Sequence, residues 1–289
     1  MKIAIASGKG GTGKTTVAVN LYYILSEKLN NKVQLVDCDV EEPNDLLFFK
    51  NARLLAKNRE HLLVPEIDTD KCNFCKKCSE WCEFNAITIV KALSFAEVNK
   101  DLCHSCGACT VACNFNAITE YPQPLGTISE YDPGFGAGVI EGRLKIGSAM
   151  QTSLIKKVKN YTQMTNKLVI YDAPPGTSCP VVETVSDADY IVLVTEPTPF
   201  GLYDLQLTVD LINKLQIPFG VIVNKAGLGN DETYKYLKQS NIDLLGNIPF
   251  SKDYASIYAK GELIDKLSEK TITNYKNIVD KLLSFIPLQ

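Results

Sequence analysis

The stretch that decides the fold is MKIAIASGKGGTGKTTVAVN, residues 1–20. Its apolar run Ile3–Ala6 predicts a buried strand, and the residues from Thr15 onward have the apolar spacing of a helix. Between them lies the pattern G-x-x-x-x-G-K-T, which begins at Gly8. A strand, this loop and a helix in succession are typical of a phosphate-binding loop, whose backbone N–H groups surround phosphate oxygens. The alternative is a glycine-rich turn without a ligand.

The phosphate loop predicts roles for its side chains. Lys14 is expected to reach the β and γ phosphates, the Thr15 hydroxyl to ligate Mg²⁺, and Thr16 to contact the α phosphate. An additional lysine, Lys9, precedes Lys14 in the same loop. The nucleotide-binding residues predicted over the whole chain are Gly8, Gly10, Gly11, Thr12, Gly13, Lys14, Thr15, Thr16, Gly176 and Asn224.

Aspartates follow two other predicted strands. Asp37 and Asp39 come after the apolar run Val33–Val36, and Asp172 follows Leu168–Tyr171 and precedes Ala-Pro-Pro-Gly. The carboxyl end of a strand is where Mg²⁺ or its water needs a carboxylate ligand. Gly176 is expected to present its N–H to the γ phosphate. Each aspartate is alternatively a helix cap or a solvated loop residue.

The sequence after another predicted strand, VIVNKAGLG, bears on the nucleotide base. Asn224 and Lys225 are present, but Gly227 stands where guanine-specific sites place an aspartate. Without that acceptor for the guanine N–H groups, ATP is favoured over GTP.

Apolar runs alternate with helical patterns along most of the chain, which predicts an α/β fold with a mostly parallel sheet flanked by helices. The predicted strands are Ile3–Ala6, Val33–Val36, Leu168–Tyr171, Tyr190–Thr195, Gly220–Val223 and Leu244–Ile248. The predicted helices are Thr15–Leu29, Tyr203–Leu215, Asp231–Gln239 and Thr271–Phe285.

The loop with Lys9, the D-x-D at 37–39 and the sequence DAPPGTS resemble the MinD/ParA/nitrogenase-iron-protein group of P-loop ATPases. This resemblance covers residues 1–60 and about 140–265. It implies a homodimer that sandwiches two ATP molecules, with Lys9 crossing to the partner's nucleotide. Asp39 would then help to position the attacking water, and Asp172 would begin the second switch segment. The catalytic residues implied are Lys9, Lys14, Asp39 and Asp172. Lys9 is alternatively a solvated surface lysine.

A cysteine repeat interrupts the α/β pattern. CNFCKKCSEWCEFNAI begins at Cys72, and CHSCGACTVACNFNAI begins at Cys103. The repeat predicts an inserted α+β domain over residues 64–121 within a discontinuous ATPase domain, residues 1–63 and 122–289. Pro65 and residues 121–126 mark the expected joints. Residues 126–150 are either a strand–turn–strand or a mobile loop.

Each copy has the C-x2-C-x2-C-x3-C spacing of bacterial ferredoxins with two [4Fe–4S] clusters. In those proteins the fourth cysteine of each copy ligates the other cluster. The resemblance implies Cys72, Cys75, Cys78 and Cys113 for one cluster, and Cys103, Cys106, Cys109 and Cys82 for the second. Zinc is the alternative, although structural zinc usually joins two C-x2-C pairs across a longer loop. Glu83 and Asn114 replace the proline that commonly follows the fourth cysteine.

Two cysteines lie outside the repeat. Cys179 follows Asp172 at the offset of a cluster ligand in the nitrogenase iron protein, so it is either an interfacial metal ligand or a residue of the switch segment. Cys38, between two aspartates, is expected to be a packing residue.

The composition favours a soluble cytoplasmic protein. Hydrophobic residues make up 45% and charged residues 22%, and the start resembles no signal peptide. No apolar run is long enough for stable membrane insertion. The net charge of −3, located in residues 64–121, argues against nucleic acid as a partner.

Three functions remain open. The first is an ATPase whose nucleotide state drives dimer switching and electron transfer through two clusters to an unidentified redox partner. The second is a carrier or assembly ATPase for iron–sulfur or other metal cofactors. The third is a positioning ATPase that uses its C-terminal helix on membranes.

Overall fold

The computed structural model describes residues 1–162, 168–263 and 266–285. The strands are β1 (Lys2–Ala6), β2 (Val33–Asp37), β3 (Arg53–Ile67), β4 (Ile87–Val90), β5 (Phe95–Val98), β6 (Ile118–Asp132), β7 (Val139–Leu144), β8 (Leu168–Asp172), β9 (Tyr190–Thr195), β10 (Phe219–Ala226) and β11 (Leu244–Pro249). The helices are α1 (Lys14–Lys28), α2 (Lys77–Glu80), α3 (Ala108–Ala112), α4 (Gln151–Asn160), α5 (Cys179–Val185), α6 (Pro199–Leu215), α7 (Glu232–Gln239), α8 (Lys252–Ala259) and α9 (Glu269–Phe285).

Nine strands form one sheet in the order β11-β10-β9-β1-β8-β2-β7-β6-β3. The pairs from β11 to β7 are all parallel. The predicted parallel α/β sheet is therefore confirmed. Because parallel strands end at the same edge of a sheet, the loops after β1, β2, β8, β9 and β10 converge there.

Helix α1 is buried on almost every side, because it packs between the sheet and α9. Leu21, Tyr22 and Leu25 are fully buried in the same core as Ile3 of β1 and Tyr275 of α9. The helix that begins at the phosphate loop is thus anchored by the main hydrophobic core. Its position cannot change without disturbing that packing.

The apolar face of α9 also belongs to the core, with Tyr275, Ile278, Val279 and Leu282 buried. The positioning-ATPase hypothesis needs an apolar face of α9 that is free to bind a membrane. In the described part of α9 that face is buried in the core. The last four residues, 286–289, lie outside the described residues. Among the described residues, no helix combines the length and apolarity that a membrane crossing requires.

The chain divides into two compact units. The first comprises residues 1–57, 128–143 and 155–289, and the second comprises residues 58–127 and 144–154. The second unit contains the antiparallel β4–β5 hairpin and the short helices α2 and α3. Its small core includes two cysteines and three isoleucines: Cys78, Cys109, Ile87, Ile89 and Ile118. The domain limits predicted from the sequence stay a prediction.

Both expected joints lie within strands of the structure. Pro65 lies inside β3, and residues 121–126 lie inside β6. Most of β3 is exposed or half-buried, so it carries no continuous apolar run. Of residues 126–150, the segment Val139–Leu144 forms β7, which is largely buried and pairs with β2.

Candidate functional site

The loop between β1 and α1 brings Lys14 and Thr15 to the aspartate at the end of β8. Lys14 Nζ lies 3.0 Å from Asp172 Oδ1, and Thr15 Oγ1 donates to Asp172 Oδ2 at 2.7 Å. Both members of the ion pair are buried. Burial disfavours the charged form of Lys14, but the charge and hydrogen bond of Asp172, together with the charges of Asp39 and Asp37, outweigh this effect and raise the pKa of the lysine. The sequence-predicted lysine, hydroxyl and carboxylate therefore form one contact group.

Asn224, at the carboxyl end of β10, supports the phosphate loop from the side. Its Nδ2 donates to the carbonyl oxygen of Thr12 at 2.7 Å. Gly13 has a left-handed backbone with φ 91°, and a Cβ added there would overlap the Asn224 amide. Glycine at this position therefore permits both the turn and the close approach of Asn224.

The remaining predicted loop residues surround this contact group. Gly8 packs against the backbone of Asp204 so closely that a Cβ would overlap it. Gly11 is left-handed with φ 79°, and space is open beside both Gly10 and Gly11. Thr12 and Thr16 are buried. The Thr12 hydroxyl has no hydrogen-bond partner within the part of the chain that the structure describes.

Three more carboxyl groups lie near the Lys14–Asp172 pair. Asp37 accepts backbone N–H bonds from Asp39, Asn44 and Asp45 at 3.0, 2.8 and 3.0 Å. Burial and the charge of Asp172 raise the pKa of Asp37. Burial also raises the pKa of Asp39 to about 6, against the opposing charge of Lys14. Burial and mutual repulsion within this cluster therefore both disfavour the charged forms of Asp37 and Asp39.

Asp45 is a member of this cluster that the sequence analysis missed. It is fully buried, and burial and the charge of Asp37 hold its pKa well above the ordinary value. Among the described residues neither of its carboxylate oxygens has a hydrogen-bond partner. The only signal in the sequence was its place shortly after the D-x-D of residues 37–39.

Gly176 does not present its N–H outward in this structure. The N–H donates to the carbonyl oxygen of Ser7 at 3.0 Å, and the glycine is left-handed with φ 96°. The predicted bond from this N–H to a γ phosphate therefore requires the loop after β8 to rearrange.

Lys9 is paired within its own chain. Its Nζ lies 2.6 Å from Glu196 Oε1, and the other carboxylate oxygen of Glu196 lies 3.0 Å from Lys225 Nζ. Lys225 also donates to the carbonyl oxygen of Gly11 at 2.7 Å. Burial opposes ionisation of Glu196, but hydrogen bonds from both lysines outweigh it and lower the pKa of the carboxyl. No local sequence motif assigns a role to Glu196.

In the second unit, a separate pocket gathers cysteines from both repeats. Cys72, Cys75 and Cys78 of the first copy and Cys113 of the second line the same pocket. The rest of the lining combines apolar residues, among them Ile67, Ile89, Phe115 and Ile118, with Asn73, Lys76 and Lys77. The backbone N–H of Phe74 donates to Cys72 Sγ at 3.3 Å. These four cysteines are the set that the ferredoxin resemblance implies for one cluster.

The other cysteines of the repeat form a second neighbourhood in the same unit. Burial raises the pKa of Cys103, and the charges of nearby Cys106 and Cys82 add to the effect. Backbone N–H groups donate to the sulfur of Cys82 from Ala86 and to that of Cys103 from Ser105, at 3.3 and 3.5 Å. Cys82 of the first copy therefore lies beside cysteines of the second copy.

All ten cysteines are free thiols. Within residues 1–162, 168–263 and 266–285, no three or more His, Cys, Asp or Glu side chains are grouped so that they could hold a single metal ion. A zinc ion needs every thiolate about 2.3 Å from one centre. A [4Fe–4S] cluster carries each thiolate on a different iron, so its ligands surround a volume.

The two cysteines outside the repeat have different environments. Cys179 is exposed at the first residue of α5, shortly after Asp172. Cys38 is fully buried, and burial raises its pKa well above the ordinary value. Cys38 is thus a packing residue.

A family model described as the CobQ/CobB/MinD/ParA nucleotide binding domain matches residues 3–264. The chain belongs to this family. The match includes the phosphate loop, the strand-end aspartates and Asn224, so nucleotide binding is the shared property of this CobQ/CobB/MinD/ParA domain.

Relatives within the family extend over the whole chain. Two uncharacterized proteins of Methanocaldococcus jannaschii are 33% and 32% identical to it, over 99% of this chain and 98% and 97% of their own lengths. An iron-sulfur cluster carrier protein of Pyrococcus abyssi is 24% identical, over 86% of this chain and 73% of its own.

Among solved structures, the septum site-determining protein MinD complexed with Mg-ADP from Pyrococcus horikoshii has a TM-score of 0.59. It is 18% identical, and the alignment covers 99% of this chain and 97% of that one. The chain therefore has the MinD-like P-loop fold.

Proposed function

We propose that this protein is a Mg²⁺-dependent ATPase that couples nucleotide-driven dimer switching to electron transfer through two [4Fe–4S] clusters. The observation that carries the proposal is the pocket lined by Cys72, Cys75, Cys78 and Cys113, in a chain that also contains the Lys14–Asp172 site. One chain thus contains ligands for a redox centre and for nucleotide phosphates.

Nucleotide binding in this proposal uses the residues of the phosphate loop. Lys14 would leave Asp172 to contact the β and γ phosphates, and the Thr15 hydroxyl would be a ligand of a bound Mg²⁺. Asp172 and Asp39 would hold waters of that ion and the attacking water. ATP is the proposed nucleotide because Gly227 supplies no acceptor for guanine.

The proposed active form is a homodimer in which two copies face each other across their nucleotides. Lys9 lies 29% exposed at the loop surface, so it is accessible to a partner's phosphates once it leaves Glu196. A lysine supplied in trans would stabilise the charge that develops on the transferred phosphoryl group.

The cluster ligands in the proposal are Cys72, Cys75, Cys78 and Cys113 for one site, and Cys103, Cys106, Cys109 and Cys82 for the other. When bound, such clusters supply one-electron transfer. The N–H bonds to sulfur would stabilise the thiolates of a bound cluster, whereas the apolar part of the lining would limit solvent access to it. The inserted ferredoxin domain is proposed to extend over residues 64–121.

The electron partner is proposed to be a protein with a basic docking face, because residues 64–121 contain eight acidic and five basic residues. The cytoplasm is the proposed location, since free thiols and reduced clusters persist in a reducing compartment.

The test is electron delivery from the reduced protein under anaerobic conditions. Protein reduced with dithionite and freed of excess reductant is mixed with a one-electron acceptor dye, with and without Mg²⁺-ATP. We expect faster delivery with ATP in the wild type and no effect of ATP in Lys14→Ala, the matched control. Equal rates with and without ATP in the wild type would refute the coupling.

A second function, transport or assembly of iron–sulfur cofactors, is favoured by one specific observation. Several relatives at 23–24% identity are named iron-sulfur cluster carrier proteins. Cys179 is exposed and belongs to neither cysteine set, so it is the residue proposed to hold a transferable cluster across a dimer. The test is cluster transfer to an apo-ferredoxin: transfer lost in Cys179→Ser supports this function, and unchanged transfer contradicts it.

A further inference from the structure

Lys9 is restrained by a carboxylate on a neighbouring strand end. Glu196 follows β9, and its side chain is only 14% exposed, whereas that of Lys9 is 29% exposed. The Nζ–Oε1 distance of 2.6 Å is that of a short, charge-assisted hydrogen bond. In this conformation the ammonium group of Lys9 is bonded within its own chain.

Glu196 is itself held firmly in place. Its carbonyl oxygen accepts from the Thr198 N–H at 2.8 Å, and Thr198 caps α6 by accepting from the Gly201 N–H at 3.0 Å. A Cβ at Gly201 would overlap the Glu196 carbonyl, so the chain is tightly packed there. The carboxylate is therefore presented from a rigid corner between β9 and α6.

Lys225 lowers the free-energy cost of separating Lys9 from Glu196. It uses the second carboxylate oxygen of Glu196, at 3.0 Å, and it is also bonded to Gly11 of the phosphate loop. If Lys9 leaves, Glu196 still has a cationic partner, so no unpaired carboxylate is left behind. A nucleotide phosphate group carries more negative charge than one carboxylate, so it attracts Lys9 more strongly than Glu196 does.

We propose that Glu196 is a cis restraint on Lys9, which must be released when two nucleotide-loaded chains pair. Glu196 is thus a positioning residue that sets how readily the dimer forms, and Lys225 keeps it neutralised after release. This inference rests on the proposed homodimer with Lys9 acting in trans, and it adds a residue that opposes pairing in the absence of nucleotide.

The test measures dimerisation directly and does not depend on hydrolysis. Full-length protein with its clusters is prepared anaerobically and saturated with Mg²⁺ and a non-hydrolysable ATP analogue, and its dimer dissociation constant is obtained by sedimentation velocity. A partly exposed ion pair changes an equilibrium constant by at most about fivefold, and each dimer releases two pairs. Glu196→Gln should therefore lower the dissociation constant by between about twofold and about thirtyfold.

Two further variants identify the cause. Glu232→Gln removes a carboxylate from an exposed ion pair with Lys235 on α7, and it should leave the dissociation constant unchanged. In a Lys9→Gln background, adding Glu196→Gln should have no effect, because the restraint acts through Lys9. A fall in the dissociation constant that persists in that background would overturn the inference.

The inference and the proposed function fail in different ways. If the wild type pairs with the analogue and Glu196→Gln pairs no more tightly, the restraint is wrong while the nucleotide-driven dimer stands. If the wild type does not pair at any protein concentration, both are wrong.

Discussion

Replacing Asp39 with asparagine should make the nucleotide-free protein more stable while removing its hydrolytic activity. Burial raises the pKa of Asp39 from the ordinary 3.8 to about 6, with Asp172 adding to the shift and Lys14 opposing it. The folded state therefore binds this proton more tightly than the unfolded state does. The contribution of Asp39 to the stability of the wild type therefore falls as pH rises from about 4 to about 6, and it stays low above that range.

The size of the effect follows from the shift. A difference of about two pKa units corresponds to about 3 kcal/mol, since one unit is worth about 1.4 kcal/mol. Asp39 is only half-buried, so solvent screening lowers the expected gain to about 1–2 kcal/mol at about pH 7.5. Asparagine copies the shape of the neutral acid and never becomes charged. The gain in free energy of unfolding of Asp39→Asn over the wild type should fall by about half near pH 5, because Asp39 of the folded wild type is already protonated there.

The assay is urea unfolding followed by far-ultraviolet circular dichroism, without nucleotide or Mg²⁺, at about pH 7.5 and about pH 5. Glu27→Gln, which removes an exposed acidic group from α1, is the matched control and should change the free energy of unfolding by less than about 0.5 kcal/mol. An Asp39→Asn protein less stable than the wild type at pH 7.5, or equally favoured at both pH values, would refute the reasoning. Its Mg²⁺-ATP hydrolysis should be lost at both.

Three other substitutions test the two sites. Lys9→Ala should lose hydrolysis, measured by phosphate release, but keep its ATP affinity, measured by calorimetry; equal hydrolysis would contradict a trans role. Gly13→Ala should abolish ATP binding in the same calorimetric assay, because its Cβ would overlap the Asn224 amide; retained binding would contradict the loop geometry. Cys113→Ser should remove about half of the iron by colorimetric assay and leave one cluster visible by electron paramagnetic resonance, whereas Cys179→Ser should keep all of it; full iron in Cys113→Ser would contradict the shared ligand set.

The strands that carry the nucleotide site could be predicted because they are buried on both faces. The runs at β1, β2 and β8 to β10 are almost entirely buried, and each ends near where the sequence placed it. The long strands β3 and β6 could not be predicted in this way. Most residues of β3 are exposed, and β6 contains two prolines and a glycine, which the usual patterns assign to loops.

The residues of the candidate site also differ in how well the sequence predicted them. Lys14, Thr15 and Asp172 lie in recognisable motifs at strand ends, and the structure brings them into contact. Glu196 and Asp45 could not be found in the same way, because neither belongs to a local pattern with a known role. Asp45 is buried by the local turn that places it eight residues after Asp37, and Glu196 acts through its contact with Lys9, 187 residues away in the chain. Such contacts depend on the sheet order, which periodicity alone does not specify.

The cysteine pocket also says something about how a repeat of this kind can arise. Three of its cysteines come from one copy and the fourth from the other, so neither copy alone encloses the pocket. A chain with a single copy would leave one side open until a second chain closed it. Duplication of such a half would place both sides of the pocket in one chain. Substitutions in either copy would then be limited by the residues that it supplies to the pocket of the other copy.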